Sequence, residues 1–322
     1  MRIVLAPVAL LFLATFAPLG LFSVPVPPPD AKLWAAPVPL DEEQPGRRRL
    51  GALIYLEGWR LRSDDRRFGG ISAMHIEDGQ VTAVSDSGVV FRFALPAGAR
   101  AQPLQVDPLA SGPGSSRSKR DRDSEAMLVR GDRIWVAFER SNSVGRYDRA
   151  TRRREAASAP PAMKRWPANG GAEGMVRLPD GRFLIFAEGS RRRDGTTEVL
   201  VFAGDPAVAD TPAVSLGYRA PSGYRITDAA LLPDGRVAFL NRRFSILGGI
   251  SAKLTVAELP PLEEGTIISG TEIAHFEPPT TVDNMEALSV TREDGRTILW
   301  IASDNNYNPL QRTLLLKFAL AK

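Results

Sequence analysis

The stretch Met-Val-Arg-Leu-Pro-Asp-Gly-Arg-Phe-Leu-Ile-Phe-Ala, residues 175–187, contains the pattern that decides the fold. Two apolar runs, Met175–Leu178 and Phe183–Ala187, flank the turn pair Asp180-Gly181. An Asp-Gly pair accepts the positive φ values that a tight turn requires, and apolar runs on both sides of it are typical of paired strands. This stretch therefore predicts a β-hairpin.

The same hairpin pattern occurs five times along the chain. The other four units are Ile71–Ile76/Asp78-Gly79/Val81–Val84, Ala126–Val129/Gly131-Asp132/Ile134–Phe138, Ala229–Leu232/Asp234-Gly235/Val237–Leu240 and Ala287–Val290/Asp294-Gly295/Ile298–Ala302. An alternating third strand follows each hairpin, and a fourth can follow in four of the five units. Four antiparallel strands repeated at a regular interval predict an all-β protein with the β-propeller fold.

The number of blades follows from the spacing of these units. Equivalent positions in the first strands are Ser72, Glu125, Glu173, Asp228 and Glu286. The last unit lacks a fourth strand, which Ala52–Trp59 can supply from the other end of the chain, leaving fewer free sheet edges. We expect five four-stranded blades closed by this N-terminal strand. The alternatives are six blades, if residues 111–124 or 260–279 contain another, and a β-sandwich.

The first 49 residues differ in composition from the rest. No charged residue occurs from Ile3 to Pro29, and Arg2 precedes the apolar run Ile3–Phe22, as in a secretory signal or an uncleaved anchor. We expect residues 1–29 to be a signal peptide or N-terminal membrane anchor, 30–49 a Pro-rich, charged linker, and 50–322 the propeller domain. The protein is then periplasmic or secreted, either free or anchored to the inner membrane by residues 3–22.

The composition excludes several kinds of function. The absence of cysteine rules out disulfides, thiolate metal sites and cysteine nucleophiles, and two histidines leave little for histidine-based catalysis. The 41 basic and 37 acidic residues are interleaved along the chain, so nucleic acid is not an expected partner. Membrane contact is expected only through the N-terminal segment, and the protein is expected to be a monomer.

The hairpin pattern also predicts where charged residues meet. Paired residue numbers have a constant sum in a two-residue hairpin, and for the turn Asp180-Gly181 this sum pairs Glu173 with Glu188. The corresponding pairs in the other units are Ser72/Asp86, Glu125/Glu139, Asp228/Asn241 and Glu286/Asp304. All ten positions are expected on one face, near the propeller axis. Opposed carboxylates repel each other unless a positive charge compensates them.

Two sources of that positive charge are open. One is a hard cation such as Ca²⁺, which oxygen ligands bind, and the other is a set of nearby arginines, which can neutralise the acids or bind an anion. The candidate metal ligands are Asp86, Glu125, Glu139, Glu173, Asp228 and Asp304. The candidate substrate-binding residues are Arg66, Arg67, Arg140, Arg242 and Asn305. The candidate catalytic acids or bases are Glu188 and Glu286.

Several segments, taken in order, carry a family resemblance. They are Leu61–Ser72, Lys119–Ala126, Asn169–Met175, Asp283–Leu288, and Ser303–Asn306 followed by Gln311–Thr313. They resemble the bacterial phytase-like domain family, also described as having esterase-like activity of phytase, and the resemblance covers roughly Tyr55 to the C-terminus. It implies a secreted propeller that acts on phosphate or other esters.

Two functions of different classes remain open at this point. The first is a metal-assisted hydrolase of small anionic esters, in which the acids hold Ca²⁺ and an arginine binds the substrate anion. The second is a non-catalytic propeller that binds a small ligand or an envelope partner through the same face. The propeller fold hosts both classes.

Overall fold

The computed structural model describes residues 30–98, 100–115, 118–245 and 248–321. The expected signal or anchor segment, residues 1–29, lies outside the described residues. Among the helices of the described ranges, none is both long and apolar enough to cross a membrane.

Strands make up nearly all of the regular structure. In chain order they are β1 (Lys32–Pro37), β2 (Arg49–Leu50), β3 (Leu53–Ser63), β4 (Ile71–Glu77), β5 (Gln80–Ser85), β6 (Val89–Ala94), β7 (Gln102–Pro103), β8 (Gln105–Pro108), β9 (Ser124–Arg130), β10 (Arg133–Phe138), β11 (Ser143–Asp148), β12 (Arg154–Ser158), β13 (Ala172–Arg177), β14 (Phe183–Arg191), β15 (Thr197–Phe202), β16 (Ala213–Arg219), β17 (Arg225–Leu231), β18 (Val237–Ser245), β19 (Gly249–Ala257), β20 (Ile267–Ser269), β21 (Thr271–Phe276), β22 (Met285–Glu293), β23 (Arg296–Ser303) and β24 (Thr313–Leu320). Two short 3₁₀ helices cover Lys119–Asp121 and Pro161–Arg165.

The strands form five sheets, which we number I to V. Sheet I contains β4, β5, β6 and β8; sheet II contains β9 to β12; sheet III contains β13 to β16 and β20; and sheet IV contains β17, β18, β19 and β21. Sheet V combines β22, β23 and β24 with β3, β1 and β7, and β2 pairs with β3. Sheets I to IV are thus built mostly from neighbouring stretches of chain, whereas sheet V joins the two ends of the described chain.

The sheets are arranged like the blades of a propeller. Their first strands contact one another in the cyclic order β4, β9, β13, β17, β22 and back to β4. A separate apolar cluster fills the space between each pair of neighbouring sheets. Representative residues are Phe91 and Trp300 between V and I, Val90 and Phe138 between I and II, Trp135 and Phe183 between II and III, Phe186 and Phe239 between III and IV, and Leu254 and Phe318 between IV and V.

Each of the five predicted hairpins is confirmed. The first and second strands of every sheet are antiparallel neighbours, and the predicted third strand pairs next to them. In the described residues, the segments considered for a sixth unit form no sheet of their own. The sequence pattern therefore predicts the repeating element correctly.

The turns of two hairpins are one residue longer than predicted. Asp78-Gly79 and Asp294-Gly295 have positive φ at both residues, as a two-residue turn requires. In sheet III, however, the Leu178 N–H donates to the Arg182 carbonyl at 2.8 Å and the Gly181 N–H donates to the Leu178 carbonyl at 3.0 Å. These bonds define a three-residue loop, and sheet IV has the same arrangement. The strand register in these two sheets therefore shifts by one residue from the predicted one.

The prediction that residues 30–49 form a linker outside the fold is corrected by the structure. Strand β1 pairs antiparallel with β3, which in turn pairs with β24. The alternate side chains of Ala31, Leu33 and Ala35 are buried in the cluster between sheets V and I, and Leu40 is fully buried between sheets IV and V. The alternation of buried and exposed side chains is that of a strand on sheet V, and it is difficult to recognise in a proline-rich sequence.

Candidate functional site

A β-bulge lies near the start of the first strand of every sheet. The ladder register shifts there, and the residue left unpaired is Ser72, Glu125, Glu173, Thr227 or Glu286. A bulge bends the strand and re-aims the side chain of the extra residue. Four of the five predicted first positions are therefore confirmed as equivalent, and in sheet IV Thr227 takes the place predicted for Asp228.

The second strand of each sheet also contributes one residue to this region. It is the residue that follows the second-strand partner of the residue just before the bulge. The N–H groups of Asp86, Glu139, Glu188 and Asp304 donate to carbonyl oxygens that lie two residues before the bulge, at 2.8–3.0 Å. In sheet IV the equivalent residue is Arg242, which pairs with Arg225. We call these five residues, together with the five bulge residues, the polar ring.

This register corrects the predicted pairs. In sheets I, II, III and V the second-strand residue of each pair lies opposite the residue two positions before the bulge rather than opposite the bulge residue. Glu188 lies opposite Gly171 rather than Glu173, because the longer turn and the bulge each shift the pairing by one residue. Asn241 is not part of the polar ring: it is fully buried, and its amide bonds to the Tyr218 hydroxyl and the Phe239 carbonyl. The polar ring thus contains an arginine of its own at a position for which the sequence predicted an amide.

Three carboxylates of sheet II converge at one side of the polar ring. One oxygen from each of Asp123, Glu125 and Glu139 lies within 4.8 Å of the other two. The N–H groups of Gly170 and Gly171 donate to Oε1 of Glu139, the latter at 3.2 Å. We call these three acids the acidic cluster.

The acidic cluster favours protons or a cation. Burial, with the nearby charges of Glu173 and Asp123, raises the pKa of Glu125 well above its usual range. Burial raises the pKa of Glu139 to about 7, with the charge of Asp123 adding to the effect and the N–H groups of two glycines opposing it. Only one cation contacts the cluster directly within the described residues: Nε of Arg140 donates to Oδ2 of Asp123 at 2.9 Å.

Lys119 supplies a positive charge beside the neighbouring acids of sheets I and V. Its ammonium forms an ion pair with Oδ2 of Asp86 and lies 5.7 Å from the centre of the Tyr307 aromatic ring. Oδ1 of Asp86 is buried and has no hydrogen-bond partner among the described residues. Burial raises the pKa of Asp86 to about 6 and that of Asp304 well above its usual range. The sequence analysis did not identify Lys119 as a binding residue.

Arg242 connects the acids on the opposite side of the polar ring. Its Nη1 donates to Oδ1 of Asn284 at 2.7 Å, its Nε lies 3.2 Å from Oε1 of Glu286, and its Nη2 lies 3.8 Å from Oε1 of Glu188. Nη1 of Arg225 reaches the other oxygen of Glu188 at 3.2 Å. Nδ2 of Asn284 donates to Glu286 at 2.9 Å. These contacts bring both predicted catalytic acids together around one guanidinium group.

The charges in this network shift each other's protonation. Burial would lower the pKa of Arg242, but Glu286, Glu188 and Glu173 outweigh it and raise the pKa. Burial raises the pKa of Glu286 to about 7, although Arg242 opposes the rise. Burial, together with Glu188 and other acids, raises the pKa of Glu173 well above its usual range. Glu286 is therefore near its midpoint of ionisation at neutral pH.

Asp228 has a structural environment that differs from the prediction. Its two carboxylate oxygens accept from the N–H groups of Ala229 and Leu288, each at 2.7 Å. Leu288 belongs to β22 and Asp228 to β17, so this buried side chain joins the first strands of sheets IV and V. The bulge falls one residue earlier, at Thr227, so Asp228 lies next to the polar ring rather than on it.

Three predicted substrate-binding residues, Arg66, Arg67 and Asn305, lie in the loops that join strands of sheets I and V. Arg67 is buried and forms a two-pronged ion pair with Asp65, at 3.0 and 2.6 Å. Arg66 is exposed to solvent. Oδ1 of Asn305 accepts from the N–H groups of Gly70 and Tyr307, at 3.1 and 3.2 Å, and so links sheets I and V.

The structure adds a residue that the sequence analysis missed in the acidic cluster. Asp123 lies two residues before the bulge residue Glu125, and its carbonyl accepts the Glu139 N–H. The equivalent residues of sheets I, III and V are Gly70, Gly171 and Asn284. The segment around Asp123 contains several acids, so the spacing between repeats could not show which of them belongs to the site.

Comparison with known proteins gives a family and weak structural likenesses. Residues 66–307 match the family model described as phytase-like, esterase-like activity of phytase. A search of curated proteins gave no match. Among solved structures, the chain is similar to Myxococcus xanthus glutaminyl cyclase, with 11% identity, a TM-score of 0.47, and coverage of 79% of this chain and 92% of that one.

Two further solved structures show a similar degree of likeness. One is the β-propeller domain of Cps50 (Swd1) from Myceliophteria thermophila, with 11% identity, a TM-score of 0.40, and coverage of 91% of this chain and 100% of that one. The other is Kuenenia stuttgartiensis hydrazine synthase, with 13% identity, a TM-score of 0.37, and coverage of 75% and 58%.

Proposed function

The chain belongs to the phytase-like family, and from this premise and the geometry of the polar ring we propose that it hydrolyses phosphate or other esters at that ring. The convergence of three carboxylates beside fixed arginine and lysine side chains carries the proposal. Such a combination offers ligands for a cation and positive charge for an anionic substrate in one place.

The acidic cluster fits a hard divalent cation such as Ca²⁺. Asp123, Glu125 and Glu139 present oxygens close enough to share one ion, and carboxylate oxygens are what Ca²⁺ prefers. Oδ1 of Asp86, buried and without a hydrogen-bond partner in the described part of the chain, is a further candidate ligand on the same polar ring. Glu173, also predicted as a ligand, lies close enough to Glu125 to raise its pKa further than burial alone does, whereas the predicted ligand Asp304 interacts with Asp86. A bound cation would polarise the ester and lower the pKa of a water molecule.

Glu286 is the best candidate for proton transfer. Its pKa of about 7 leaves it partly ionised at neutral pH, which suits a general base. In the proposed step, the Glu286 carboxylate takes a proton from the attacking water, whose oxygen bonds to the phosphoryl or acyl centre. The bond to the alcohol oxygen breaks, and the proton passes from Glu286 to that oxygen.

Glu188 has a positioning role in this proposal rather than a proton-transfer role. Its two oxygens contact two different arginines, Arg225 at 3.2 Å and Arg242 at 3.8 Å. Charge-assisted contacts of this kind fix the two arginines in place. Arg242 in turn holds Glu286. Arg140 and Lys119, on the other side of the polar ring, are placed to bind anionic oxygens of the substrate.

We interpret each sheet as one blade, which makes the protein a five-bladed propeller closed by β3. The cyclic contacts of the first strands and the pairing of β3 with β24 support this count. Closure of this kind pairs strands from the two chain ends and removes free sheet edges.

The proposed location is the periplasm or the outside of the cell, with residues 3–22 as a cleaved signal or an inner-membrane anchor. The support is the long uncharged apolar run behind Arg2. Fusion of residues 1–49 to alkaline phosphatase should give active enzyme outside the cytoplasm. Activity confined to the cytoplasm would contradict the proposed location.

A non-catalytic role in ligand binding is the second candidate. The observation that favours it is the Arg242 network, in which Glu188 and Glu286 neutralise the guanidinium group and Asn284 accepts a hydrogen bond from it. A scaffold that binds a small ligand or an envelope partner needs nothing more. The two candidates differ in whether the acidic cluster binds a cation and whether esters are cleaved.

The experiment that tests the proposal is a panel of phosphate and carboxylate esters, assayed with and without chelator. The purified protein should cleave at least one ester, and the rate should fall when chelator removes the cation. Glu286→Gln should lower the rate by a factor of about 100 or more, since a general base contributes roughly 10²–10⁴-fold. Glu155→Gln, which changes an exposed acid of sheet II, is the control. Absence of hydrolysis would favour the scaffold, and equal rates in the two variants would show that Glu286 is not the general base.

A further inference from the structure

A cleft lies between sheets III and IV, next to the polar ring. Its volume is about 520 Å³, and its lining includes Glu188, Arg191, Arg225, Arg242 and Arg243. The second strands of these two sheets, β14 and β18, are nine residues long and continue past the ring residues Glu188 and Arg242. Because of this extension, arginines from both sheets line one cleft.

The cleft has more positive charge than its own acid can balance. Four arginines and one glutamate are its charged lining residues. Glu188 pairs with Arg225 and Arg242, and Arg242 is also bound to Glu286 and Asn284. Arg191 and Arg243 have no ion pair with any carboxylate in the described parts of the chain. They are therefore available to an anion from outside the protein.

The position of Arg243 is fixed without a carboxylate. Its guanidinium carbon lies 4.8 Å from the centre of the Tyr224 aromatic ring, and the Lys253 ammonium lies 5.0 Å from the same centre. The Tyr224 hydroxyl is held by Ser251 at 3.0 Å and by Nε2 of His275 at 2.9 Å. Nε of Arg243 is buried with no hydrogen-bond partner within the described residues. An arginine held on an aromatic face in this way is preorganised to bind an oxyanion.

We propose that this cleft binds a doubly charged oxyanion group, such as a phosphate monoester, through Arg191, Arg243 and the exposed Arg225. Arginine presents paired N–H donors that match the oxygens of such a group, and several arginines together favour a dianion over a monoanionic carboxylate. The inference rests on the proposed function in one respect, because it makes the cleft the substrate-binding part of the same site. Glu188 and Arg242 belong to both the cleft and the polar ring, and Arg242 contacts Glu286, so an anion bound in the cleft lies one residue away from the proposed general base.

The test is calorimetric titration with inorganic phosphate in the presence of a chelator, which prevents binding through a cation in the acidic cluster. The unmodified protein should bind phosphate, and higher salt should weaken the binding because the contacts are ionic. The double variant Arg191→Gln/Arg243→Gln should bind at least about tenfold more weakly. Arg191→Gln alone, at an exposed position, should show part of that loss if the double variant fails to fold.

The matched control is the double variant Arg182→Gln/Arg236→Gln. These arginines lie at the hairpin turns of the same two sheets, exposed and paired with Asp180 and Asp234, and the variant removes the same charge. Its affinity for phosphate should stay within about twofold of the unmodified protein. No phosphate binding by the unmodified protein, or equal loss in the two double variants, would overturn the inference.

Failure of this inference and failure of the proposed function can be distinguished. Phosphate binding is measured without turnover, and ester hydrolysis is measured separately. Hydrolysis without phosphate binding in the cleft would remove the cleft proposal and leave the hydrolase. Phosphate binding with no hydrolysis of any ester would leave the cleft as an anion-binding site of a non-catalytic propeller.

Discussion

The positive charge of a single residue, Arg242, compensates the negative charges of the acids on one side of the polar ring. The equivalent positions in the other sheets are held by the acids Asp86, Glu139, Glu188 and Asp304. Arg242 is the one cation among the ten ring residues, and its side chain is 21% exposed. Ring acids on its side therefore depend on it for compensation.

Replacement of Arg242 should destabilise the protein in a pH-dependent way. In Arg242→Gln, Glu286 and Glu188 lose their shared partner, at a cost on the order of 3–5 kcal/mol for a largely buried pair at about pH 8. The cost should be smaller at about pH 5, because Glu286 and Glu173, whose pKa values are already raised, are then protonated. Urea denaturation at the two pH values measures the difference.

The control for this prediction is Arg225→Gln. Arg225 contacts the same Glu188, but its side chain is 59% exposed, so its loss should cost at most about 1 kcal/mol. Equal destabilisation by the two variants, or no pH dependence for Arg242→Gln, would show that Arg242 does not compensate the ring acids.

Asp228 should contribute to stability rather than to metal binding. In Asp228→Asn the side-chain NH₂ group would face one of the two N–H donors, of Ala229 and Leu288, and that donor would remain buried and unsatisfied. The expected loss is about 1–3 kcal/mol of unfolding free energy. Asp234→Asn, at an exposed turn, should cost much less. A variant at position 228 that keeps full stability but loses cation binding would restore Asp228 to the metal ligands.

At the scale of strands and hairpins, the sequence predicts which segments form hairpins better than it predicts the register between their strands. The apolar runs around the Asp-Gly and Gly-Asp pairs give all five hairpins, because both strand pairing and turn formation depend on nearby residues. The bulges depend on contacts between sheets, so Glu173 and Glu188 are predicted as neighbours although Glu188 lies opposite Gly171. Likewise, residues 267–276 are a continuous run in the sequence but form two strands, β20 in sheet III and β21 in sheet IV.

The sequence predicts those residues of the candidate site that recur at the same position in each repeated unit. Glu125 and Glu286 occupy the same place in the repeat, so their spacing identifies them as members of one site. Asp123 has glycine or asparagine at the equivalent positions of sheets I, III and V, and Lys119 lies in a short 3₁₀ helix outside the repeated strands. The arrangement around Arg242 depends on the one-residue shift in sheet IV. Residues of this kind can be placed only once the chain is folded.

The strand β1 provides a test of the N-terminal boundary of the fold. Leu33 is fully buried, whereas the adjacent Trp34 is 41% exposed on the other face of the strand. Leu33→Ala should lower the unfolding free energy by about 2–5 kcal/mol, as for other buried leucines. Trp34→Ala should cost about 1 kcal/mol or less. Thermal or urea denaturation that shows no loss for Leu33→Ala would mean that residues 30–49 do not pack on sheet V in solution.

At the scale of the whole molecule, the polar ring should make stability depend on pH when no cation is bound. Burial raises the pKa of Asp86 to about 6 and those of Glu139 and Glu286 to about 7. The folded state therefore binds more protons than the unfolded state between about pH 4 and pH 7, and this stabilisation is lost as the pH rises through that range. The melting temperature of chelator-treated protein should fall from about pH 5 to pH 8. A constant or rising melting temperature would contradict the raised pKa values.

The central claim, that the acidic cluster holds a cation, is tested most directly by titrating metal-free protein with Ca²⁺ in a calorimeter at about pH 8. The account predicts saturable binding near one ion per chain, with a higher melting temperature in the bound form because the ligand stabilises the folded state. Asp123→Asn and Glu125→Gln should weaken this binding, whereas the exposed control Glu155→Gln should leave it unchanged. Absence of binding by the unmodified protein, or equal binding by all variants, would contradict the claim and leave the polar ring as an arginine-neutralised scaffold.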